Sequence, residues 1–113
     1  MSYDVTLAQD GKPVTVERFQ EGGTQPIGGE TKATLNITGN YSIVYQLVFF
    51  RIEDLRGRRA CDTIARLRQL IDDKLGTMQD KNHWAPTPGN AGHALSILLA
   101  WAVQHPDAVW EVT

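Results

Sequence analysis

Three arginines within four positions, Arg56, Arg58 and Arg59 around Gly57, form the sharpest basic cluster in the chain. Guanidinium forks match phosphate oxygens two at a time. This cluster also precedes an expected helix start, where free N–H groups and the helix dipole favour an anion. The same residues read equally as a solvated basic turn balanced by Glu53, Asp54 and Asp62. A second constellation runs from His83 to Asn90 through Trp84, Pro86, Thr87 and Pro88. Trp84 offers a stacking face, and Thr87 and Asn90 offer contacts to a base edge. The plainer reading is that Asn90 caps a helix, the prolines stiffen its entry and Trp84 closes over the core. Asn36, Thr38 and Asn40 share one face of an expected strand, with Tyr41 and Tyr45 just beyond it. That face can meet a ligand or another subunit, or be the solvent side of a sheet. The expectation is a small phosphate-bearing, nucleotide-like ligand held jointly by Arg56, Arg58, Arg59, Trp84, Thr87 and Asn90. Asn36, Tyr41 and Tyr45 are the further candidate binding residues.

Other chemistries find less to work with. The stretch from Gly22 to Gly29 lacks the lysine and hydroxyl of a phosphate loop and the three-glycine dinucleotide pattern. It reads as a connection with positive φ angles, or as a place where backbone approaches a ligand closely. His83, His93 and His105 match no compact metal-ligand spacing. Cys61, the single cysteine, stands near basic residues but has no partner motif. No catalytic residues, metal or cofactor are expected.

Elements must position these groups. Tyr3, Val5 and Leu7 alternate with polar residues, and Val14, Val16 and Phe19 follow a segment holding Asp10-Gly11, which together signal a hairpin. Ala33, Leu35 and Ile37 alternate again as a third strand. Residues 43–52 carry helical spacing in strand-forming residue types, with Ser42 as a possible cap and Gly57 as the end. Ile64, Leu67, Ile71 and Leu75 stripe one helix that Gly76 stops. Ala91, Ala94, Leu95, Leu98, Leu99 and Ala102 stripe another, beginning near Asn90 and ending before Pro106. Val109 to Val112 forms a closing strand. The fold class is α+β, a single domain over 1–113: an N-terminal antiparallel sheet with two or three helices packed on one face. More aromatic and branched residues lie between Tyr41 and Ile52 than one helix stripe can bury, so a homo-oligomer, a dimer or higher, is expected.

The chain has 113 residues, 42% of them hydrophobic, enough for one core without staples. A net charge of −2 gives no general pull toward long nucleic acid or an anionic membrane. The start lacks a signal-peptide pattern and no apolar run approaches the length of a membrane span, so a cytoplasmic protein is expected.

Gly22-Gly23-Thr24 with Gly28-Gly29, Leu35-Asn36-Ile37-Thr38 with Asn40-Tyr41, Trp84 with Pro86-Thr87 and Gly89-Asn90-Ala91, and Pro106-Asp107 with Val109-Trp110 form one pattern along most of the chain. In it the sequence resembles a family of small uncharacterised proteins of phages, prophages and bacteria. It departs from that family at Gly39, where members tend to carry an aromatic. The resemblance brings no defined activity. Its phage setting, with the host cytoplasm as location, implies a protein that counters host defence, such as a sponge sequestering a cyclic oligonucleotide or ADP-ribose derivative. The competing expectations are a protein–protein module that inhibits a host defence protein, and a small nucleotide hydrolase.

Overall fold

The computed structural model describes residues 2–19 and 22–113. The chain opens on β1 (Ser2–Gln9) and turns through Asp10 and Gly11 into the short β2 (Lys12–Pro13). Both turn residues have positive φ, 54° and 77°. A two-residue hairpin loop needs this if its twist is to match that of the strands. β3 (Thr24–Pro26), β4 (Thr34–Thr38) and the closing β5 (Val109–Val112) complete the sheet. Every pairing is antiparallel: β1 with β2, β4 and β5, and β4 with β3. Gly22, Gly28 and Gly29, in the glycine-rich connection, all have positive φ.

Alternation divides the sheet into two faces. Val5, Leu7, Leu35, Ile37, Trp110 and Val112 are buried, while Asp4 and Glu111 face solvent. Over the buried face lie α1 (Ser42–Leu47), α2 (Ile64–Gln69) and α3 (Pro88–Gln104). With five strands and three α-helices among the described residues, the architecture is the expected α+β one.

α2 runs on as a π-helix, Leu70–Leu75, and stops at Gly76 with φ 67°. The wider turns bury Leu70 along with Leu67, Ile71 and Leu75, whereas Ile64 is only half-buried. α3 is buried on most sides, as its predominance of small and apolar residues requires. Its first turns carry glycine because another backbone lies directly on them. A Cβ at Gly89 would fall 1.7 Å from the Met78 carbonyl oxygen, and one at Gly92 would fall 1.7 Å from that of Gly76. The N-cap of α3 is Thr87 rather than Asn90: the Thr87 hydroxyl accepts the Asn90 N–H at 3.2 Å. Pro88 follows without loss, since the first helical N–H has no partner within the helix. Ser42 likewise does not cap α1; its hydroxyl donates to the Gly39 carbonyl at 2.8 Å, and Thr38 caps the preceding 3-10 turn.

Candidate docking face

The arginine cluster lies along the outer edge of β5. Gly57 N–H donates to the Trp110 carbonyl at 2.9 Å, Trp110 N–H to that of Arg58 at 2.9 Å, and Ala60 N–H to that of Ala108 at 2.8 Å. These bonds cover a sheet edge that would otherwise be open. Each guanidinium has a local partner: Arg56 donates to the Val112 carbonyl at 2.9 Å, Arg58 to that of Asp62 at 2.8 Å, and Arg59 to the Asp107 carboxylate at 2.7 Å.

The Trp84 loop lies elsewhere. It packs at the start of α3, whereas Asp107 follows the end of that helix. Seventeen residues separate those ends, a rise of about 26 Å at 1.5 Å per residue. The structure therefore does not bring Arg59 together with Trp84, Thr87 and Asn90.

At the α3 N-terminus, residues expected to bind a ligand fasten loops instead. Asn90 is buried; its side-chain oxygen accepts the Asp80 N–H at 2.9 Å, and its amide donates to the carbonyls of Asn82 at 2.9 Å and Ala85 at 3.0 Å. Tyr45 is buried and donates to the Ala91 carbonyl at 2.9 Å. Tyr41 is buried, donates to the His83 carbonyl, and sits so close to Gly23 that no Cβ would fit there. Burial raises both phenols above their ordinary pKa, Tyr45 the further. Asn36 is half-buried on the outer sheet face, donating to Ser2 at 2.9 Å and Asp4 at 2.7 Å. Trp84 alone of this set presents a large ring to solvent, at 44% exposure, with its carbonyl held by the Asn40 amide at 2.9 Å.

Three strongly exposed apolar side chains lie on α1 and its exit, while Met78 and Val103 stand exposed elsewhere. Ile43 is 53% exposed, Leu47 75% and Phe49 91%. α1 ends in a hydrogen-bond pattern that normally has glycine at its turning point. Phe49 N–H donates to the Gln46 carbonyl at 3.1 Å and Phe50 N–H to that of Tyr45 at 2.9 Å. The Phe50 ring meets the Tyr45 ring edge-on at 5.6 Å, the apolar contact that accompanies this motif. Phe49 holds glycine's place at φ 58°, a conformation that costs a residue with a Cβ about 1–2 kcal/mol. Arg66 braces the turn from α2, donating to the carbonyls of Val48 at 3.2 Å and Phe49 at 3.1 Å.

Beside this projection lies a half-open cleft of about 350 Å³, lined by Tyr3, Ser42, Tyr45, Gln46, Phe50 and the Arg51–Glu53 pair. The two charges meet at 3.0 Å. A hydrogen bond from its own backbone N–H, and then Arg51, hold the Glu53 carboxyl below its ordinary range against partial desolvation. Among the described residues no three His, Cys, Asp or Glu side chains gather to hold a metal ion. No helix there is long and apolar enough to cross a membrane. The apolar surplus between Tyr41 and Ile52 signalled this face in the sequence, but Arg66, Arg51, Glu53 and the turn at Phe49 carried no separate signal. The chain matches no family model, no curated protein and no solved structure.

Proposed function

We propose that this chain is a non-enzymatic protein-interaction module that docks through the α1 edge. The observation that carries this reading is Phe49, almost wholly exposed in a strained left-handed turn that Arg66 braces. Strain of this kind, together with an aromatic held in water, does nothing for the folded monomer and is found where a surface is used. Exposed aromatics are also the residues that carry binding energy at interfaces. Inhibition of a host defence protein is the form of this reading that the phage-family resemblance favours. The test replaces Leu47 with a photo-crosslinking residue in cells, with the exposed Gln25 on β3 as control. Position 47 should crosslink to protein, another copy included, and position 25 should not. No protein adduct at 47 would sink the reading.

A second reading, capture of a small phosphate-bearing ligand, is supported by the exposed Trp84 ring, on a residue whose backbone carbonyl the Asn40 amide holds. A panel of cyclic dinucleotides, cyclic trinucleotides and cyclic ADP-ribose isomers should then raise the melting temperature. Stacking on an aromatic is worth about 1–3 kcal/mol per base, so Trp84→Ala should weaken binding roughly five- to a hundredfold. A panel without any shift removes this reading.

A further inference from the structure

We infer that the occupant of the α1 edge is a second copy of this chain, related by a two-fold axis, with Phe49 of each copy seated in the other's Tyr3–Phe50 cleft. This rests on the reading of that edge as a protein-docking face. A two-fold contact requires one patch to be complementary to itself, and here projection and cleft are neighbours in one chain. Gln46 and Phe50, which line the cleft, flank Leu47 and Phe49 in sequence. The cleft's size selects its guest. At about 350 Å³ it stands near the floor of the roughly 300–1,000 Å³ range of small-molecule sites. That suits one aromatic ring better than a nucleotide. Half-buried Tyr3 borders the cleft, with the edges of the buried Tyr45 and Phe50 rings beneath, and aromatic edges are what a phenyl group packs against.

Charge supports the same occupant. Arg51 and Glu53 put both signs on the rim, with side chains 67% and 30% exposed. A two-fold axis can set each charge opposite its complement in the other copy, and two such pairs fix the register. A net charge of −2 leaves little long-range repulsion between copies. Ile43, Leu47 and Phe49 then form the apolar centre and Gln46, Arg51 and Glu53 the polar rim, the usual anatomy of a protein interface.

Sedimentation equilibrium across the micromolar range tests the inference, using the whole chain and Phe49→Gly. Glycine suits the turn, so this variant keeps its fold, which far-UV circular dichroism verifies. Wild type should be dimeric at tens of micromolar, and Phe49→Gly should dissociate roughly thirtyfold more readily or worse, as loss of an interface anchor does. Arg51→Glu and Glu53→Arg should each be monomeric alone, yet pair when mixed in equal amounts, since each then supplies the sign the other lacks. A monomeric wild type overturns the inference, as does a Phe49→Gly variant that dimerises like wild type. A mixture of the two charge variants that stays monomeric overturns the two-fold arrangement. If wild type is monomeric while position 47 crosslinks to a different protein, the docking face stands and the second copy does not. Failure of both experiments removes both.

Discussion

The Thr63 hydroxyl, fully buried, serves two partners at once. It accepts the Trp110 indole N–H at 2.9 Å and donates to the Ala60 carbonyl at 2.7 Å. Thr63→Val keeps the shape but strands the buried Trp110 indole N–H, at about 1–3 kcal/mol, while the Ala60 carbonyl keeps the residue-63 backbone N–H at 3.0 Å. Thr63→Ser keeps the hydroxyl and loses one methyl, about 0.8 kcal/mol. Urea unfolding should therefore rank valine as the more damaging change; the reverse order would mean that packing, not hydrogen bonding, governs this site. Tyr45 gives a pH-dependent counterpart. Burial first, then the neighbouring Tyr41 and Tyr3, raise its phenol well above the ordinary value of 10.0. The unfolded chain loses that proton near its ordinary pKa while the folded chain retains it. This contribution to stability is thus complete below about pH 10 and is lost as the pH climbs from there toward the folded pKa. Tyr45→Phe loses the bond to Ala91 at neutral pH, about 1 kcal/mol, but its stability should fall less steeply above pH 10. Parallel alkaline unfolding curves for the two proteins would refute this.

Helix boundaries separate what the sequence makes legible from what it does not. Asp10-Gly11, the stop at Gly76, the apolar stripe of α3 and the closing strand are local signals, and each stands where residue type places it. α1 instead ends at Leu47, well before Gly57, because Phe49 occupies a turn that propensity assigns to glycine. Local rules fail most readily where a strained site serves something beyond the fold. The placement of Arg56, Arg58 and Arg59 was hidden for a different reason. It depends on pairing with β5, some fifty residues later in the chain, which no local pattern encodes. Asn90 misleads because a side-chain amide suited to a base edge suits loop carbonyls equally well. At the start of α3, propensity and packing oppose each other, and magnitude decides the sign. Alanine outranks glycine in a helix interior by about 1 kcal/mol, so Gly92→Ala looks favourable. Yet its Cβ would fall 1.7 Å from the Gly76 carbonyl oxygen, and forcing backbone apart costs about 1–3 kcal/mol or more. Gly92→Ala should lower the urea midpoint, and a raised midpoint would show that segment 76–78 yields freely.

Two copies joined at the α1 edge would make the stability of the whole molecule depend on its concentration, which no isolated monomer can do. Phe49 couples the two scales. In the monomer its ring is 91% exposed and its backbone sits at φ 58°, so it adds strain and little packing. Phe49→Gly relieves that strain and should stabilise the monomer by up to about 1 kcal/mol, the cost of left-handed backbone less glycine's greater freedom when unfolded. The same change removes the interface anchor. Wild type above its dimer dissociation constant unfolds from two joined chains to two free ones, so each tenfold rise in concentration adds about 1.4 kcal/mol per dimer. For a cooperative unit of this size that is a rise of roughly 3–6 °C in melting temperature. Scans across a tenfold dilution series should show this slope for wild type and a flat line for Phe49→Gly. At the lowest concentrations, where wild type is mostly monomeric, the glycine variant should melt at the higher temperature. Two flat lines would mean that the strained turn at Phe49 serves a different partner, and two equal slopes that the copies join through another surface.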